Sequence, residues 1–129
     1  MKKVLVVEDS ESFRKETIAT LETENKFEIT EAKDGSEGFD FLMNQSYDLV
    51  ILDYHLPQMT GVEILRKLKD NGRSTNCPVI MLTSEYEERG SEIKQLNVVS
   101  WVIKPINQKR FKDLVDQVLD YYASRKLGS

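Results

Sequence analysis

Short, nearly unbroken apolar runs alternate along this chain with longer stretches in which apolar residues recur every three or four positions. Val4-Leu5-Val6-Val7, Leu49-Val50-Ile51-Leu52 and Val79-Ile80-Met81-Leu82 are continuous, the pattern of a strand covered on both faces. They predict strands over Lys3 to Val7, Asp48 to Asp53 and Val79 to Leu82, the last introduced by Cys77-Pro78. Phe27 to Ala32 alternates Phe27, Ile29 and Glu31 against Glu28, Thr30 and Ala32, which predicts a shorter, more exposed strand. Ser100 to Ile103 predicts a fifth, terminated by Lys104-Pro105.

Helical periods lie between these runs. Ser10 is a candidate N-cap, and Phe13, Ile18 and Leu21 form an apolar stripe behind it. Asp34-Gly35 turns the chain into a helix over Ser36 to Asn44, with Phe39, Leu42 and Met43 inward. A helix from Val62 to Lys69 carries Ile64, Leu65 and Leu68. It stops at Asp70-Asn71-Gly72, because Asn and Gly tolerate the left-handed conformation that helix ends often need. A polar, weakly amphipathic helix is expected from Glu87 to Leu96, and a last one from Gln108 to near Tyr122. The last puts Phe111, Leu114, Val115, Val118, Leu119 and Tyr122 on one side.

The order is βα repeated five times, with no internal repeat, linker or low-complexity segment. Right-handed crossovers between such units require a parallel sheet covered by helices on both faces. The expected fold is therefore α/β, a doubly wound (βα)5 sheet of the flavodoxin-like kind with strand order 2-1-3-4-5. At 129 residues the chain is one domain, expected over residues 1–124, with 125–129 a frayed C-terminal tail.

The strand ends carry the candidate chemistry. Asp53 closes the most apolar strand and is followed at once by the turn His55-Leu56-Pro57-Gln58-Met59-Thr60-Gly61, while the first strand ends in Glu8-Asp9. Open α/β sheets place ligand sites beyond the carboxyl ends of their strands, and the expected order sets strands one and three side by side. Glu8, Asp9 and Asp53 then meet at one edge. Carboxylates in one pocket repel one another and raise at least one pKa unless a cation intervenes, so the cluster suits a cation better than a core.

Formal net charge is −4, from 22 acidic and 18 basic residues, and no basic stretch is long enough to track a nucleic-acid backbone. Gly72-Arg73 and Ser124-Arg125-Lys126 read as solvated ends. Cys77, the single cysteine, excludes an internal disulfide and reads as a packing residue, which points to a reducing, cytoplasmic compartment. No apolar run approaches a membrane span, and the apolar stretch after Met1-Lys2-Lys3 is too short for a signal peptide.

Glu8-Asp9, Asp53 with Pro57 and Gly61 downstream, Thr83 and Lys104-Pro105 together resemble the receiver domain of two-component response regulators, over essentially the whole chain. Strand-end acids and Lys-Pro pairs are individually common; the ordered set on five βα units is specific. The resemblance implies that Asp53 accepts a phosphoryl group from a phosphohistidine on a sensor histidine kinase or phosphotransfer protein. It implies that Glu8, Asp9, Asp53 and the backbone carbonyl of His55 hold Mg²⁺, that Thr83 contacts the phosphoryl group and that Lys104 pairs with it. The chain would then be a switch that catalyses only its own phosphorylation and dephosphorylation. An output protein would dock on the face formed by the fourth helix, fifth strand and fifth helix.

The chemistry asks for the same residue types. An ionised, well-aimed aspartate is a usable nucleophile. Phosphoryl transfer needs mainly charge neutralisation, which a hard divalent cation and a mobile lysine both provide.

Several positions depart from the family pattern. Position 8 is Glu where members often carry Asp, one methylene shorter, which implies retained but tuned metal binding. His55 and Glu85 stand two residues after Asp53 and Thr83, positions that tune phosphoryl lifetime. The plainer readings are that the His55 ring points to solvent and that Glu85 is helix N-terminal charge. Trp101, three before Lys104, stands at the family's switch aromatic, usually Tyr or Phe. As a switch it would turn inward as Thr83 moves toward the phosphoryl group; otherwise it is a half-buried strand residue fastening the last helix. Asn97-Val98-Val99 replaces an expected Gly-Ala, and the stretch from Thr83 to Lys104 is slightly short.

Two other functions compete. One is a binding module that keeps the fold but works without phosphate, which the complete acid, hydroxyl and lysine set opposes. The other is an aspartate-nucleophile hydrolase of the haloacid-dehalogenase type, which His55 opposes by standing where those enzymes place a second acid. The chain reads as a stand-alone receiver; starting at Met1 and ending just past the last helix fits an excised domain equally.

Overall fold

Five parallel strands form one sheet in the computed structural model, which describes residues 1–84 and 96–128. They are β1 (Lys2–Val7), β2 (Phe27–Ala32), β3 (Leu49–Asp53), β4 (Val79–Thr83) and β5 (Val98–Ile103), in the order β2-β1-β3-β4-β5. The described helices are α1 (Glu11–Glu22), α2 (Gly35–Asn44), α3 (Gly61–Asp70) and α4 (Gln108–Gly128). The helix expected from Glu87 lies outside the described residues, as does Glu85; Leu96 is buried in the turn before β5.

The continuous apolar runs are explained by burial on both sides. Leu5, Val7, Val50, Leu52, Val79 and Met81 pack with Leu42 of α2 and Ile64, Leu65 and Leu68 of α3. Val4, Val6, Leu49, Ile51, Ile80 and Leu82 pack on the other side, with Ile18 and Leu21 of α1 and Phe111 and Val115 of α4. Helix starts follow local capping chemistry. Ser10 Oγ accepts from Phe13 N–H at 3.4 Å, Asp34 Oδ1 from Glu37 N–H at 2.8 Å, and Thr60 Oγ1 from Glu63 N–H at 3.1 Å. After α3 the left-handed residue is Gly72, with φ +74°, while Asn71 keeps a negative φ.

Two boundaries differ from expectation by more than one residue. β5 begins at Val98, ahead of Ser100, because Asn97 turns the chain at φ +60° and Val79 then pairs with Val98. Ile80 pairs with Ser100, so Val99 is the extra residue of a bulge. The last helix runs on to Gly128, past Tyr122 and through most of the expected tail. Ala123 to Leu127 contains no helix breaker to stop it.

Candidate functional site

β1 and β3 are neighbours in register, Val7 opposite Leu52, so the next residues of each, Glu8 and Asp53, emerge together at the carboxyl edge. Glu8 N–H still donates to Ala32 O at 3.0 Å, which carries the β1 ladder one residue further. Both acids are buried, at 0% and 1% exposure, while Asp9 is exposed. One carboxylate oxygen from each of the three lies within 4.8 Å of the others.

Lys104 reaches this cluster from the end of β5. Its backbone N–H donates to Thr83 O at 2.8 Å, and the Lys104-Pro105 peptide is cis. Its Nζ lies 2.5 Å from Glu8 Oε1 and 3.2 Å from Asp53 Oδ1. Asp53 Oδ1 also accepts from His55 N–H at 3.3 Å, so the carboxylate is gripped from two directions. The turn after Asp53 closes through an antiparallel bridge between His55 and Thr60 and through Gly61 N–H donating to Tyr54 O at 2.9 Å. Gly61 is required there: a β-carbon would sit 2.8 Å from Asp53 O and 2.7 Å from Met81 Sδ.

Burial, reinforced by the neighbouring Asp53, pushes the Glu8 carboxyl above its ordinary pKa, against the opposing pull of Lys104. Burial and then Glu8 raise Asp9 in the same direction. For Lys104, burial alone would lower the pKa; the hydrogen bond to Glu8 and the charges of Asp53 and Glu8 outweigh it and raise it. One lysine thus only partly balances three carboxyls. An all-oxygen donor set that crowds its own negative charge fits a hard divalent cation such as Mg²⁺.

Thr83 closes β4 and is buried, one residue beyond Leu82, the register partner of Asp53. Trp101 pairs with Met81 on β4 and is half-buried against the α2–α3 side of the sheet. It therefore does not fasten the last helix, whose core residues lie on the opposite side. Its ring is 5.8 Å from Tyr54, and its Nε1–H is buried with no acceptor among the described residues. His55 is exposed, but its ring meets Tyr54 edge-on at 4.7 Å.

Two site residues gave no signal in the sequence. Arg14 donates from Nη1 to Glu8 O at 2.8 Å and from Nε to Glu31 Oε1 at 3.0 Å, fastening the Glu8–Asp9 peptide to β2. Phe13, counted only as part of the α1 stripe, also lies against Lys104, with Nζ 4.3 Å from its ring centroid. A helical period locates an apolar face; it does not show that the face also meets a charge from a distant strand.

Fold and site together define a doubly wound α/β domain with a lysine-bridged acid centre where its strand order reverses. The model of the response regulator receiver domain matches residues 4–116, and the chain belongs to that family. It is 27% identical to the chemotaxis protein CheY of Pseudomonas aeruginosa over 119 residues, covering 92% of this chain and 96% of that one. It is 32% identical over 107 residues to the transcriptional regulatory protein SrrA of Staphylococcus aureus, covering 82% of this chain but spanning only 43% of SrrA. Among solved structures it resembles the response regulator TrrA of Thermotoga maritima in complex with Mg²⁺-BeF, at 29% identity and TM-score 0.74, covering 92% of this chain and 99% of that one. The chain is a receiver domain of the two-component type, a phosphorylation-dependent signalling switch, and the hydrolase alternative falls away.

Proposed function

We propose that Asp53 is the phosphoacceptor and that Glu8, Asp9, Asp53 and the backbone carbonyl of His55 hold Mg²⁺. The observation that carries this reading is the acid cluster itself, with Lys104 Nζ already between Glu8 and Asp53. When bound, Mg²⁺ supplies charge neutralisation and orientation for the transferred phosphoryl group.

The chain's own residues supply the rest. The Asp53 carboxylate, its plane set by Lys104 and His55 N–H, attacks the phosphorus of a phosphohistidine. A P–O bond forms as the P–N bond breaks, and the imidazole leaves with the electron pair. Lys104 then exchanges a carboxylate partner for a phosphoryl oxygen, and the Thr83 hydroxyl contacts another. Exposed His55 stands at the lip of the site, where its ring tunes the access of hydrolytic water; Glu85 is assigned the same tuning role from its position alone.

The donor is a sensor histidine kinase or a phosphotransfer protein. The output protein reads β5 and α4, with Val99 and Ile103 of β5 exposed to it. Trp101 is the aromatic that reports the phosphorylated state to that face. Enzymatic action is limited to the chain's own phosphorylation and dephosphorylation. No described helix is long and apolar enough to cross a membrane, and this reading places the chain in the cytoplasm with its kinase.

Intact-mass analysis after incubation with acetyl phosphate and Mg²⁺ tests the reading. One phosphoryl adduct, absent in Asp53→Asn, is expected. No adduct under any donor would leave the phosphate-independent binding module as the better reading.

A further inference from the structure

The opening turn of α1 adds an aromatic ring to the acid centre. Lys104 Nζ, already 2.5 Å from Glu8 Oε1 and 3.2 Å from Asp53 Oδ1, lies over the ring of Phe13 at 4.3 Å from its centroid. That distance is well inside the range of cation–π attraction. The ammonium is thus held by two carboxylates and one ring, and the lysine side chain is only 20% exposed.

This arrangement decides something the covalent structure of lysine leaves open. A lysine head is a compact, strongly hydrated charge on a flexible four-carbon stem. Without a third wall it could lean out to water as readily as stay over the acids. Phe13 is a fixed wall: it packs against the α1–α4 side of the core, and its backbone N–H is capped by Ser10 Oγ. An aliphatic side chain there would fill similar space but offer no quadrupole to the charge.

We propose that Phe13 is a positioning residue for the receiver reaction: its ring holds Lys104 in the pose from which it reaches a phosphoryl group on Asp53. The inference rests on the reading of Lys104 as the phosphoryl partner.

A double-mutant cycle on the rate of phosphorylation by acetyl phosphate with Mg²⁺ tests it, using Phe13→Leu, Lys104→Ala and the pair. Phe13→Leu is expected to slow the reaction about fivefold with Lys104 present and to change nothing further in Lys104→Ala. Phe13→Tyr, which keeps the ring, is expected to retain the rate. A second readout needs neither metal nor donor. In the metal-free protein the Lys104 Hε resonances should carry an upfield ring-current shift that Phe13→Leu removes.

Equal slowing in both backgrounds would overturn the inference, because it would mark a merely structural role. An unchanged rate in Phe13→Leu beside a slowed Lys104→Ala would overturn it as well, while sparing the role of Lys104. A Lys104→Ala rate equal to wild type would instead bring down the parent reading, and this inference with it.

Discussion

At the tips of β1 and β3 the buried groups are held from several sides. Glu8 meets Lys104 Nζ and Ser10 N–H through its carboxylate and Arg14 through its carbonyl, and Asp53 is gripped by Lys104 and His55 N–H. Along β5, short of its carboxyl tip, the terms are different. β5 is an edge strand with a bulge at Val99, and Trp101 keeps a buried indole N–H that no described residue accepts. A buried donor without an acceptor costs about 1–3 kcal/mol, which favours another pose for the ring, whereas the acids are tied in place by Lys104 and by backbone N–H groups. On the proposed reading the domain separates its work accordingly: chemistry is preset at the acid cluster, and response is left to the ring on β5.

The largest effect is expected where the turn behind the acid cluster is loosened. Gly61→Ala forces a β-carbon against Asp53 O and Met81 Sδ. A loss of about 1–3 kcal/mol is expected in urea unfolding, with weaker Mg²⁺ binding alongside. Wild-type stability would mean that the turn after Asp53 yields more readily than its contacts imply.

Arg14→Ala frees the Glu8–Asp9 peptide while leaving every proposed ligand in place. Groups that orient metal ligands are worth about ten- to a hundredfold in affinity, and calorimetry with Mg²⁺ is expected to show about a tenfold loss. Glu31→Gln, which removes only the outer end of the contact, should lose less.

Proton competition acts on the same cluster. Glu8 and Asp9 have raised pKa values when folded, so the metal-free native state binds protons more tightly than the unfolded chain. Stability of the metal-free protein should therefore rise as pH falls from neutral through their raised values toward the ordinary carboxylate range. Mg²⁺ affinity should fall over that same window. Lys104 acts only at alkaline pH, where its contribution is lost as pH rises through its raised value. Thermal melts with and without Mg²⁺ across this range would show the two curves converging as pH falls; parallel curves would contradict the competition.

The smallest effect is expected at the ring on β5. Trp101→Phe removes a donor that no described residue accepts and some ring area together, so the net change in stability should stay within about 1 kcal/mol of zero. A loss of about 3 kcal/mol would show that the indole is well satisfied after all.

Much of this was legible from residue order. The runs in β1, β3 and β4 are continuous because alternate residues feed two different helix layers, and such burial leaves an unmistakable pattern. The meeting of Glu8, Asp9 and Asp53 followed from handedness and strand order alone. The rest depended on pairing and on side-chain direction. The bulge at Val99 exists only in the register of β5 against β4, and that register also sends Trp101 to the α2–α3 side. Phe13 and Arg14 sit on one short turn of α1, yet their partners in the site come from β5, β1 and β2. No local pattern announces such contacts.

We expect phosphorylation at the acid cluster to be read out by Trp101 on β5. The most direct test is Trp101 fluorescence during titration with Mg²⁺ and then beryllofluoride, with Asp53→Asn alongside. A Mg²⁺-dependent change that beryllofluoride enlarges and Asp53→Asn abolishes is the predicted result. Trp101 emission that stays flat while calorimetry records Mg²⁺ binding would contradict it, showing an acid centre that works without moving this ring.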